Sequence, residues 1–134
     1  MFWVNGVPQT HVELGDRSFQ YGDGGFTTIL TQNGELVYWQ EHTERMSACL
    51  DALKISSPDW KVVHDWASKA VLSDARAGVK IHVSRGIGGR GYSPNGIKGP
   101  IVTISNFAFP SHYSSWQEQG VDLGVCNTLS LIHI

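Results

Sequence analysis

The sequence predicts an α+β domain, a largely antiparallel sheet with two helices packed on it. Three observations carry that reading. Two Asn-Gly pairs, at 5–6 and 33–34, stand beside runs rich in β-branched and aromatic residues, the pattern of tight hairpins. Between about Glu41 and Val71 the apolar residues recur at helical spacing rather than alternating. Beyond Gly78, strand-like runs return. Strands, two helices and strands again is the order of a sheet whose helices gather on it.

Met1–Val4 reads as a short strand running into Asn5-Gly6. The densest stretch follows: Asp16-Arg17-Ser18-Phe19-Gln20-Tyr21-Gly22-Asp23-Gly24-Gly25-Phe26-Thr27-Thr28. Its glycines allow a sharp reversal and a close approach to another backbone or a ligand. Asp16 and Asp23 can hold such a turn through side-chain bonds to the backbone. On these grounds alone it is either a structural turn or a site. Phe26–Gln32 and Glu35–Trp39 then form a hairpin about Asn33-Gly34. On its first strand Phe26, Thr28 and Leu30 share one face, and Thr27, Ile29 and Thr31 the other.

His42, Met46, Cys49, Leu50 and Leu53 make one apolar helical stripe. Ser57-Pro58-Asp59 opens a second helix: Ser57 as cap, Pro58 at the first helical position, Asp59 favouring the dipole. Trp60, Val63, Ala67 and Val71 line its inner face, and Gly78 ends the connection after it. Val79–Arg85 and Pro100–Phe109 are strands flanking a glycine-rich segment at 86–99, and Val121, Leu123 and Val125 alternate as a last strand.

Composition narrows the function. A chain of 134 residues, 41% hydrophobic with net charge −2, suits a single globular domain and not a disordered chain. Ten basic residues scattered among twelve acidic ones form no nucleic-acid footprint. No apolar run approaches the roughly 18 residues of a membrane span. Met-Phe-Trp-Val-Asn-Gly, at the start, lacks the basic flank and apolar core of a secretory signal. Cys49 and Cys126 stand far apart, which suits free thiols in a reducing cytoplasm. The six histidines show no metal-ligand spacing, so no metal site is expected.

Gly86-Ile87-Gly88-Gly89-Arg90-Gly91 matches a dinucleotide fingerprint, but Tyr92-Ser93-Pro94-Asn95-Gly96 follows it where a helix must start. That chemistry is of a turn, and the dinucleotide reading fails. Read locally, Arg90 is a solvated loop residue, His42 a histidine at the core's edge, and Arg45 a surface partner of Glu41.

Asp-Arg, four residues, then Gly-Asp-Gly, one residue and Phe, as it stands at 16–26, closely resembles the N-terminal signature of the fold-type IV pyridoxal-phosphate enzymes. Branched-chain aminotransferases, D-amino-acid aminotransferases and aminodeoxychorismate lyases belong to that family. The lyase branch is the most similar, because Phe26-Thr27-Thr28 stands where transaminases more often carry Phe-Glu. Two further pieces agree: His42-Thr43-Glu44-Arg45 resembles the His-x-x-Arg of the family's first long helix, and Ser84 to Tyr92 its substrate-covering loop.

The resemblance implies a pyridoxal 5'-phosphate enzyme with Arg45 on the cofactor phosphate. Arg90 and Tyr92 are then expected to orient the substrate, with Phe26 and Thr28 lining the pocket. For the lyase branch it implies conversion of 4-amino-4-deoxychorismate to 4-aminobenzoate and pyruvate, in folate synthesis, by a cytoplasmic homodimer. A fold-type IV aminotransferase is one alternative. Another is a non-catalytic domain binding a partner or an acidic metabolite through the loop at 86–92.

One part of the family pattern is missing. The Schiff-base lysine follows the strand that Val121–Asn127 resembles, and none of Lys54, Lys61, Lys69, Lys80 and Lys98 stands in that context. The expectation is therefore an N-terminal domain at 1–128, an atypical tail at 129–134, and a second domain lying outside this sequence. By itself such a piece is expected to be inactive.

Overall fold

In a computed structural model of the chain, the structure describes residues 1–89, 91 and 93–125. Among them, six strands form one antiparallel sheet in the order β2-β1-β6-β5-β3-β4. These are β1 (Phe2–Val4), β2 (Val7–Pro8), β3 (Gly24–Gln32), β4 (Glu35–Leu36), β5 (Arg76–Ser84) and β6 (Ile101–Ala108). The helices are α1 (Arg17–Tyr21), α2 (Trp39–Ala52), α3 (Trp60–Ala70) and α4 (His112–Gln119). The expected class holds, and α2 and α3 are the two helices that pack on the sheet.

The alternation in the strands builds the core. Thr27, Ile29 and Thr31 of β3, Val79, Ile81 and Val83 of β5, and Val102 and Ile104 of β6 are buried. Met46 and Leu50 of α2 and Val63, Ala67 and Ala70 of α3 are buried with them. Burying a Leu or Met side chain contributes about 1.5–3 kcal/mol, so these few positions fix the helices on that face. Both Asn-Gly turns are built as expected, with positive φ at Asn5, Gly6, Asn33 and Gly34.

Five local readings need correction. The cap of α3 is Asp59, whose carboxylate accepts from Lys61 N at 2.9 Å, so Ser57 and Pro58 precede the helix. Leu53, expected on the α2 stripe, is the C-cap and is 39% exposed. Its place in the core goes to Ile55. The hairpin's second strand stops at Leu36, because Tyr38 takes φ 55° and opens α2. Gly78 lies inside β5, where a Cβ would come within 2.3 Å of the Phe107 ring; it marks a close approach and not an end. Residues 121–125 form no strand. Leu123 and Val125 are 90% and 95% exposed, and 121–125 pairs with none of the six strands.

Helices α1 and α4 were not anticipated. No residue of α4 is buried, so its sequence carries no apolar stripe to read. Helix α1 is a single turn. Asp16 caps it by accepting from Ser18 N and Phe19 N, and Gly22 ends it at φ 67°.

Candidate active site

The glycine signature folds into α1, a tight turn and the start of β3, and one carboxylate organises it. Asp23 accepts from Arg17 Nε at 2.8 Å, and from Arg85 Nε and Nη2 at 2.8 and 3.0 Å. The Arg85 bonds above all, then those of Arg17, hold the Asp23 carboxyl below the usual carboxylate range against the opposing effect of its burial. Arg85 also donates to the carbonyls of Leu53 and Lys54, closing the C-terminal end of α2. Arg17 is 3% exposed and donates to the Gly91 carbonyl at 2.8 Å, while Gly91 N donates to Tyr21 Oη at 3.1 Å.

Close packing explains the glycines that follow. A Cβ on Gly24 would stand 2.5 Å from the Val83 carbonyl oxygen, and one on Gly25 2.9 Å from Cys49 Sγ. Asp16 adds a second brace: Ser84 Oγ donates to it at 2.7 Å and accepts from Gly86 N at 2.9 Å. Turn, β5 end and glycine-rich segment are thus tied together.

The sheet face opposite α2 and α3 is open. Register places Thr28, Lys80 and Ser105 in one row across β3, β5 and β6, and Phe26, His82 and Thr103 in the next. A cleft of about 310 Å³ opens on this face, lined by Lys80, His82, Ser18, Phe19, Thr103 and Ser105 among others. Ser18 Oγ and His82 Nε2 are 2.7 Å apart, and burial chiefly holds the His82 ring below its ordinary pKa. Lys80 Nζ stands 4.3 Å from the Phe26 ring centroid.

Beside this face runs a free strand edge. β4 pairs with β3 at Thr31 and Gln32 alone, so among the described residues 24–29 has no strand neighbour on that side. Helix α2 overlooks this edge. Arg45 Nη2 donates to the Phe26 carbonyl at 3.3 Å, and His42 Nδ1 lies 2.7 Å from Thr27 Oγ1. Burial first, and then the Arg45 charge, hold His42 below its ordinary pKa.

Phe26, Thr28 and Arg45, singled out from the sequence, therefore meet around one edge of β3: two side chains on the open face, one guanidinium on the rim. Arg45 is exposed and makes no ion pair with Glu41 among the described residues. Arg90 and Tyr92 lie outside the described residues, and so do Cys126 and the tail at 129–134. Cys49 is a free, half-buried thiol. Four residues escaped the sequence reading. Arg17 and Ser18 were hidden within a motif read as a turn, and Lys80 and His82 share a face with Phe26 only once the register is known.

Pyridoxal phosphate, the cofactor that the signature suggests, can be tested against these side chains. A phosphate needs a cation with uncommitted donors, and Arg45 is exposed with one long carbonyl bond among the described residues. The residues present fit the phosphate end of such a group.

A family model described as amino-transferase class IV matches residues 24–130. The chain belongs to the class IV aminotransferase family. An aminodeoxychorismate lyase from Vibrio harveyi is 68% identical over 128 residues, which is 96% of this chain and 47% of that relative. The chain thus spans about half the length of the curated relative it matches. Among solved structures, 4-amino-4-deoxychorismate lyase from Pseudomonas aeruginosa superimposes with a TM-score of 0.74 at 26% identity, over 88% of this chain and 44% of that one. The branched-chain amino acid aminotransferase of Escherichia coli gives 0.76 at 18% identity, over 96% and 49%; at that identity the likeness is of fold. The sheet and its helices match the fold of this family's N-terminal domains. No helix among the described residues is long and apolar enough to cross a membrane.

Proposed function

We propose that the chain is the N-terminal domain, at 1–128, of a pyridoxal-phosphate-dependent aminodeoxychorismate lyase. The whole enzyme converts 4-amino-4-deoxychorismate to 4-aminobenzoate and pyruvate for folate synthesis, in the cytoplasm and as a homodimer. The observation that carries this is the 68% identity to a relative of that name across 96% of the chain. The site geometry supports it, with Phe26 and Thr28 on an open face beside the exposed Arg45.

In this reading Arg45 holds the cofactor phosphate from the rim of β3. A charge-assisted bond of that kind contributes roughly 1.5–3 kcal/mol. When bound, the cofactor supplies an electron sink at the substrate's amine-bearing carbon. Phe26 packs against the substrate ring, Thr28 offers a hydroxyl, and Arg90 with Tyr92 orients a carboxylate. A guanidinium suits that task because it meets both oxygens in one plane. The lysine that carries the cofactor lies in the linker into the second domain.

The test is to supply the full-length enzyme with cofactor and 4-amino-4-deoxychorismate and follow 4-aminobenzoate and pyruvate. Equal yields of the two products are expected. Amino-group exchange between an amino acid and a 2-oxo acid, without 4-aminobenzoate, would establish the aminotransferase reading instead. Borohydride reduction of the 134-residue chain with the cofactor is expected to label no single lysine stoichiometrically.

A further inference from the structure

The glycine-rich segment after β5 is tied to α1 at a point to which the roles above give no task. Gly91 offers one N–H and one carbonyl, and side chains of α1 take both. Gly91 N donates to Tyr21 Oη at 3.1 Å, and Arg17 Nη1 donates to the Gly91 carbonyl at 2.8 Å. The partners stand 70 and 74 positions apart in the chain, so no local turn requires them to meet. Gly91 takes φ 81° with nothing within 4 Å of where a Cβ would stand, so the glycine serves this turn and not a close approach.

The support behind these bonds is stiff. Arg17 is 3% exposed, and its Nε donates to Asp23 at 2.8 Å. Its guanidinium carbon stands 4.9 Å from the centroid of the Tyr21 ring, so the two side chains brace one another. Positions i and i+4 of a helix share a face, which sets Arg17 and Tyr21 together towards the segment. Ser18 and Phe19 line the open-face cleft instead. Helix α1 thus stands between the cleft and the segment. The base of the segment is pinned separately: Arg17 N donates to the Gly86 carbonyl at 3.0 Å, and Asp16 and Ile87 form a β-bridge. Between Gly88 and Gly96, among the described residues, the hydrogen bonds to the rest of the domain are the two at Gly91. A loop tied at so few points leaves the body about as often as those ties open.

We propose that Tyr21, backed by Arg17, is a positioning residue that latches the glycine-rich segment at Gly91 and keeps it in the arrangement that receives substrate. The inference rests on the proposed function, in which this segment covers the substrate. Loss of one neutral hydrogen bond should raise the population of the unlatched segment roughly 2- to 10-fold and leave the domain folded. Substrate that needs the latched arrangement then binds in proportion to the fraction still latched. Once bound, its own contacts hold the segment, so turnover is little changed.

Tyr21→Phe in the full-length holoenzyme tests this, because it removes the hydroxyl and keeps the ring against Arg17. Hydrogen exchange read by mass spectrometry should show amides across 86–96 exchanging roughly 2- to 10-fold faster, with the urea unfolding midpoint unchanged. In steady-state assays with 4-amino-4-deoxychorismate, KM should rise roughly 2- to 5-fold while kcat changes by less than about 1.5-fold. Faster exchange at the Gly91 amide alone, or parental exchange throughout 86–96, overturns the latch. Faster exchange across the segment with KM at the parental value overturns its part in receiving substrate. A fall in kcat with KM unchanged also overturns it, since Tyr21 would then act on the reacting atoms. A parent enzyme that exchanges amino groups and forms no 4-aminobenzoate would defeat the proposed function instead, and exchange across 86–96 would still decide the latch by itself.

Discussion

Arg17 and Arg85 share one carboxylate at 2.8 Å and reach three backbone carbonyls besides, at Gly91, Leu53 and Lys54. Arg45 and Lys80 are exposed, one with a single 3.3 Å bond to Phe26 O and the other over an aromatic ring. All four are cations within or beside the same site. The first pair is occupied with the fold, and the second, in the reading proposed above for Arg45, is left to the ligand. Motif membership does not separate them, because the arginine inside the glycine signature is the buried one. What separates them is whether the donors are already used.

The comparison breaks most visibly at Asp23. Asp23→Ala leaves two arginines facing one another without their carboxylate, and stability should fall by about 3 kcal/mol or more. Urea unfolding of the full-length protein would measure it, and a loss below about 1 kcal/mol would place Asp23 with the ligand-facing groups. The acid limb has a definite sign. Asp23 is depressed in the fold, so its stabilising contribution is complete above the unfolded value near 3.8 and is lost as pH falls below it. Asp23→Asn should flatten that limb.

Arg45→Lys should act on the ligand and spare the fold. Loss of the planar fork is expected to weaken cofactor retention about 10-fold, read by dialysis and cofactor absorbance, with the unfolding midpoint unchanged. Arg90→Lys should keep the cofactor and chiefly impair substrate use. Retention of cofactor at the parental level in Arg45→Lys would refute the phosphate role.

A smaller effect belongs to the half-buried imidazole on the open face. Burial favours the neutral His82, so its contribution is complete above about pH 6.5 and is lost as pH falls below that value. His82→Gln keeps a polar group beside Ser18 and removes the titration. The difference in urea midpoint between pH 7.5 and 5.5 should narrow in this variant, though His42 contributes in the same direction. Smallest of all, Lys80→Met should change stability by no more than about 0.5 kcal/mol, because an exposed charge over a single aromatic ring carries little of the fold.

How much of this the sequence disclosed depends on the range of each contact. Local chemistry was legible: both Asn-Gly turns, the alternation of β3, and the Met46 and Leu50 stripe. Arg45, Phe26 and Thr28 came from a motif, and the structure sets them around one strand edge. Contacts between distant segments were not legible. Nothing in the order of residues says that Lys80 lies across from Thr28, or that Arg85 reaches back 62 residues to Asp23. Gly78 misled for the same reason, since its partner is the Phe107 ring on another strand. The alternation of Val121, Leu123 and Val125 misled because alternation alone makes no strand, and 121–125 joins none of the six strands' ladders.

The place of β1 in the sheet has a consequence measured in time. Its ladder partner inside the sheet is β6, and the Met1 amino group donates to Asn106 across 105 residues. A ribosome adds about 5–20 residues per second, so β1 waits roughly 5–20 s for the partner that fixes it. Until then it has only β2, and a hairpin of two such short strands is marginal in water. Phe2 and Trp3 therefore stay within reach of chaperones or neighbouring nascent chains while most of the domain is already synthesised. A strand made early in this domain is among the last of its elements to find its position.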